Sequence, residues 1–168
     1  MAHHTENKGG EAHAEFTKLV KDIKMAMLTT VGPDGSLRSR PMATQDVEFD
    51  GDLWFFSEAS SPKVEDIGRN SKVSVSYANP DKQRYVAASG NAQLVRDKAK
   101  MQEFWSPVLK IWFPKGLEDP DLALIKVSVN DAEYWESSSN PIGRLIDFVK
   151  AVATGDESKM GDNRKIEM

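Results

Sequence analysis

The sequence predicts a mainly β domain with flanking α-helices, an α+β chain of about six to seven antiparallel strands. Three observations predict it. Short runs rich in Val, Thr, Phe and Tyr recur between residues 25 and 136, and some alternate strictly. Turn-forming clusters such as Gly32-Pro33-Asp34-Gly35 and Asn79-Pro80-Asp81 separate them. Helical periodicity is confined to the ends and to two connections. Many antiparallel strands in one small domain suggest a barrel or a sandwich.

Phe16, Leu19, Val20 and Ile23 recur at three- and four-residue spacing, so residues 11–24 read as an amphipathic helix. Residues 25–31 read as a strand, and 36–49 as a second one that pairs with it across the Gly32–Gly35 turn. After Asp50-Gly51-Asp52, residues 53–58 give a third strand, and the three are expected to form a meander. Residues 60–69 read as a short helix, with Ser61 as N-cap and Pro62 at the first helical position. Residues 71–78 alternate as a strand, and 83–95 make a longer one. Residues 97–106 are helical, and the aromatic, proline-broken segment 107–120 is an irregular excursion. Residues 121–129 and 132–136 read as two final strands. Residues 141–153 read as a helix with Ile142, Leu145, Ile146, Val149 and Val152 on one face. The expected organisation is a flexible tail over 1–10, one domain over 11–153, and a loose charged tail over 154–168.

Composition narrows the function. The 168 residues suit one domain, and 39% hydrophobic with 29% charged residues is globular. A net charge of −4 speaks against a nucleic-acid partner. There is no cysteine, which excludes disulfides, thiolate nucleophiles, cysteine-based zinc sites and iron–sulfur clusters. Redox chemistry would therefore need an organic cofactor or a metal without thiolate ligands. The lack of cysteine fits a cytoplasmic location. Met1–Gly10 has no apolar core of a signal peptide, and no apolar run approaches the roughly 20 residues of a membrane helix. His3, His4 and His13 lie in or beside this N-terminal stretch and read as solvated residues rather than metal ligands. No metal site is expected.

Three features could carry chemistry, and each has a plainer reading. Arg38 and Arg40 share one strand face with Met42 and Thr44, while Leu37, Ser39, Pro41 and Ala43 face the other way. Two neighbouring arginines repel unless water or an anion lies between them, so they are either a solvated face or a phosphate site. Lys63 stands in the first turn of the 60–69 helix, where the helix dipole disfavours a cation. It either points to solvent or joins Ser60, Ser61 and the free N–H groups around an anion. Trp54-Phe55-Phe56, Trp105, Trp112 and Phe113 are either core or walls for a flat ring. Trp112-Phe113 lies in an irregular loop, where a large apolar pair needs a partner surface.

Other signals are weak. Gln83, Arg84 and Tyr85 open a strand and could make polar contacts. Asp46, Glu48, Asp50 and Asp52 flank a turn and require no metal. No nucleophile elbow, P-loop or dinucleotide glycine fingerprint is present. No general acid or base stands out, so catalytic residues are unassigned.

The order of these pieces resembles a known family. Leu37-Arg38-Ser39-Arg40-Pro41-Met42, then Leu53-Trp54-Phe55-Phe56-Ser57, then Ser61-Pro62-Lys63-Val64 is similar to the pyridoxamine-phosphate-oxidase-like FMN-binding split barrels. Trp112-Phe113-Pro114-Lys115-Gly116, Asp119-Pro120-Asp121 and Ala132-Glu133-Tyr134-Trp135 resemble its general stress protein 26 branch. The resemblance runs from about residue 12 to about 155. It implies an antiparallel split β-barrel, a homodimer, and a flavin at the subunit interface, FMN with FAD as the alternative. It implies that Arg38 and Arg40–Ala43 (Arg40, Pro41, Met42, Ala43) line the flavin. It implies that Phe56 and Ser57 meet the ring or ribityl chain, and that Ser61 and Lys63 hold the phosphate. Tyr85 would reach the ring, and Trp112 and Phe113 would come from the second subunit.

True pyridoxamine-phosphate oxidases resemble one another in a C-terminal tryptophan- and arginine-bearing segment. Here no tryptophan follows Trp135, so vitamin B6 oxidation is not expected. The expected function is an FMN-binding, general-stress-type protein, a flavin-dependent oxidoreductase with an unassigned substrate and NAD(P)H or a small molecule as partner. The alternative is a non-enzymatic module that binds, sequesters or senses flavin. A deazaflavin or a haem is a third reading, and histidine ligation of a haem in the barrel is disfavoured by where the three histidines lie.

Overall fold

The structure, a computed structural model, describes residues 5–137, 153 and 162–168. Helix α1 (Thr5–Val20) leads into β1 (Met25–Val31), β2 (Leu37–Ala43) and β3 (Asp52–Glu58). Helix α2 (Pro62–Arg69), β4 (Lys72–Asn79), β5 (Arg84–Val95) and α3 (Lys98–Phe104) follow. Two short 3-10 turns, Pro107–Ile111 and Gly116–Glu118, precede β6 (Leu122–Glu136), and β7 (Asp162–Glu167) comes last. Among the described residues no helix is long and apolar enough to cross a membrane.

All pairings are antiparallel, in the order β2-β1-β4-β5-β6-β3, with β7 also on β6. The sheet curls into a split barrel. Its interior holds Phe16 and Leu19 of α1 against Leu28, Phe55, Val75, Val86, Ile125 and Val127. Phe16, wholly buried, stacks on Phe49 at 4.4 Å and meets Tyr77 edge-on at 6.0 Å. The amphipathic period of α1 thus makes it the plug of the barrel. A second core lies outside the wall, where Trp54, Phe56 and Leu124 are covered by Met101 and Leu109.

Several expectations are corrected. The β1–β2 hairpin forms as expected, with Gly35 at a φ of 81° that favours glycine. The third strand, however, does not continue a meander: β3 pairs with β6, from Asp52↔Ser128 to Glu58↔Leu122. The physical reason is two-sided burial. Leu53 and Phe55 enter one core while Trp54 and Phe56 enter the other, so β3 needs cover on both faces, and pairing with β6 sets it between the two cores. The second strand stops at Ala43 rather than 49, and Thr44–Gly51 is a loop whose Phe49 packs on α1.

The two final strands are one continuous strand, β6, because a bulge at Asn130 absorbs the irregularity, with the register shift opposite Ser89/Gly90 of β5. One edge of β6 serves two partners, β3 over 122–128 and β7 over 131–136. The expected loose tail 154–168 therefore ends in an ordered strand, with Ile166 buried in the main core opposite Ala132. At the other end, α1 starts at Thr5, inside the expected tail. His13 is helical and meets Phe49 edge-on at 5.1 Å, while His3 and His4 lie outside the described residues. The helix expected over 141–153 also lies outside them, Ala153 excepted.

Candidate functional site

The two arginines of β2 face the interior side of β1, Arg38 opposite Thr30 and Arg40 opposite Leu28. Helix α2 lies over this corner. An anion does separate the arginines, and the protein supplies it: the wholly buried carboxylate of Asp66. Thr30 Oγ1 donates to Asp66 Oδ2 at 3.0 Å, and Arg69 Nη2 donates to Oδ1 at 3.1 Å. Arg38 Nη1 and Arg40 Nη2 stand 3.7 and 3.8 Å from the two carboxylate oxygens. Arg40 Nη1 donates to Thr30 Oγ1 at 2.8 Å and to the Leu28 carbonyl at 3.3 Å. Burial opposes ionisation of Asp66. Hydrogen bonds from Thr30 and Arg69 and the charges of Arg38 and Arg69 outweigh it and hold the carboxyl below the usual range.

Nothing in the sequence pattern marks Asp66. It lies three residues after Lys63, and only the docking of α2 on β1 reveals that it is buried. The repulsion between Arg38 and Arg40 was the available signal.

Lys63 is in the opposite condition. It is half-buried, and burial and then the charge of Arg40 lower its pKa, with only Glu58 acting against them. It lines a cavity of about 160 Å³. Pro41, Met42 and Ala43 of β2 line one side, with Met25 beside them. Phe56, Leu109, Trp112 and Phe113 complete the lining. The Phe56 ring meets Trp105 edge-on at 5.5 Å and lies 6.3 Å from Phe113. The irregular 107–120 segment is thus folded back onto β3 by its own aromatic residues. Among the described residues, Lys63 is the only titratable side chain lining the cavity. Such a slot can hold a flat apolar ring with an anionic group at the lysine end.

The remaining expected site residues are placed differently. Ser57 and Ser61 are buried, their hydroxyls 3.2 Å apart, and Ser61 makes no side-chain cap to α2. Arg38 and Arg40 lie behind the cavity wall with Asp66. Tyr85 is on another surface, 43% exposed, in an apolar groove with Met25, Met27 and Trp135. Arg84 directs its guanidinium to Glu136 at 2.8 Å and to the Leu19 carbonyl, a structural role. Trp112 and Phe113 line this cavity within the same chain as Phe56 and Lys63.

A curled antiparallel split barrel with an aromatic slot ending at a half-buried lysine defines a class of small ligand-binding barrels. The chain belongs to the pyridoxamine 5'-phosphate oxidase-like family, whose model matches residues 11–159. It is 31% identical over 162 residues to Protein bli-3 of Neurospora crassa, covering 90% of this chain and 78% of that one. General stress protein 26 from Bacillus anthracis is 26% identical with a TM-score of 0.65, over 73% of this chain and 92% of that one. The general stress FMN/FAD binding protein from Xanthomonas citri is also 26% identical, with a TM-score of 0.64, over 76% and 89% of the two chains.

Proposed function

We propose that this chain is a flavin-binding protein of the general-stress type that takes FMN. The phosphate lies at Lys63, with Arg40 behind it, and the ring lies against Phe56, Trp112 and Phe113. One observation carries the reading: a half-buried lysine, disfavoured by both burial and Arg40, lining an otherwise uncharged aromatic slot. An ammonium so placed gains most from a bound anion, and a phosphate monoester is suited to it. The family and the Xanthomonas citri relative support flavin as the ring.

A homodimer completes this reading. A cavity of about 160 Å³ is smaller than the roughly 300–1,000 Å³ of a complete small-molecule pocket, so further wall is required. Met25 borders both this cavity and the groove of about 280 Å³ that holds Met27, Tyr85 and Trp135. These four side chains, each 39–43% exposed, form an apolar sheet face of the kind that marks an interface. A second copy seated there would place its surface against the open side of the flavin slot, and Tyr85 would join the site across the interface.

A bound flavin supplies hydride or electron transfer. The residues of this chain bind it, orient it and exclude water. With Lys63 the only titratable side chain in the slot among the described residues, turnover would depend on the reductant and acceptor reaching the ring. Lys63→Ala tests the phosphate end. FMN affinity should fall about tenfold or more while riboflavin affinity changes little, because only FMN loses a charge-assisted contact. Equal weakening of both would contradict the assignment.

A further inference from the structure

We propose that Thr30 and Asp66 are positioning residues, a relay that fixes the guanidinium of Arg40 for the phosphate end of the ligand. The inference rests on the phosphate reading of Lys63 and goes beyond it to residues that do not line the slot.

The geometry gives the relay a direction. A hydroxyl has one proton to donate. Thr30 gives it to Asp66 Oδ2 at 3.0 Å, so a lone pair of Oγ1 is left for Arg40 Nη1 at 2.8 Å. The Leu28 carbonyl takes the same nitrogen at 3.3 Å. Nη1 is thereby occupied, whereas Nη2 lies 3.8 Å from Asp66 Oδ2, beyond hydrogen-bonding distance. The guanidinium is held at one end and keeps donors at the other. Without such a hold, Arg40 would be free to turn away from Lys63, since the two cations repel. Thr30 and Asp66 are both wholly buried, so the relay is shielded from water. The surrounding charge stays cationic, because Arg38, Arg40 and Arg69 outnumber the one carboxylate.

The test compares FMN and riboflavin binding to the full chain. Thr30→Val changes neither charge nor size, and it should lower the preference for FMN over riboflavin about tenfold. A Thr30 that merely fastens α2 to the sheet would lower Tm and leave that preference intact, and this result would overturn the relay. Asp66→Asn gives a second, opposed reading. Removing a negative charge would tighten FMN if Asp66 only competed with the phosphate, whereas the relay requires weaker FMN. Tightening overturns it. Should Asp66→Asn fail to fold, Thr30→Val decides alone. A wild-type protein with no preference for FMN over riboflavin would instead overturn the phosphate reading itself.

Discussion

Burial alone would keep Asp66 protonated, yet Thr30, Arg69 and Arg38 hold it ionised. Its folded pKa therefore lies below the unfolded value of about 3.9. A carboxylate of this kind contributes stability that is present above the unfolded value and lost as pH falls through the folded one. The stability difference between wild type and Asp66→Asn should be largest above about pH 4 and shrink below it. Thermal unfolding of both across pH checks this, and a difference that does not change with pH contradicts it. Lys63 has the reverse sign: its lowered pKa means the folded state disfavours the ammonium, a cost that is full below the folded value, falls as pH rises past it and is gone above the unfolded value. This contrast explains what sequence could and could not reveal at this scale. A lysine in a first helical turn looks misplaced in the sequence itself, whereas Asp66 looks like any acid on a helix face until the helix docks.

Local pattern identified nearly every element, because alternation and turn residues are properties of short windows. It failed where pairing is decided over long distances. Leu53 and Phe55 on one side and Trp54 and Phe56 on the other show that β3 is apolar on both faces, but its partner β6 lies some seventy residues later, and Met101 and Leu109 cover its outer face. The polar pair Asn130-Asp131 resembled a break in the last strand, yet Gly90 on the neighbouring strand accommodates it. A Cβ at Gly90 would stand 2.1 Å from the Ser128 carbonyl oxygen and 2.9 Å from its carbon, both backbone atoms that cannot swing aside. Gly90→Ala should therefore cost on the order of 2–4 kcal/mol, read from denaturant unfolding. A cost under about 0.5 kcal/mol would mean that β5 and β6 do not approach so closely there. The C-terminal strand was missed for another reason: among many charged neighbours, Ile166 is a single apolar residue, too little to give a period.

At the scale of the whole molecule, the slot of one chain is open beside an exposed apolar sheet face. Sequence shows Met25, Met27 and Tyr85 only as strand residues, and the pairing register across β1, β4, β5 and β6 is what gathers them with Trp135. The dimer reading expects light scattering to give twice the 18.7 kDa chain mass. Met27→Glu should shift the protein towards monomer and weaken flavin binding together, since a buried unpaired charge at an interface is costly. A wild-type monomer that still holds flavin tightly would contradict the shared site. The central claim, that this barrel carries FMN, is tested most directly by the absorption spectrum of the freshly purified protein with mass analysis of what it releases. The account predicts a yellow protein holding FMN near one per chain. A colourless protein that takes up no added FMN would contradict it.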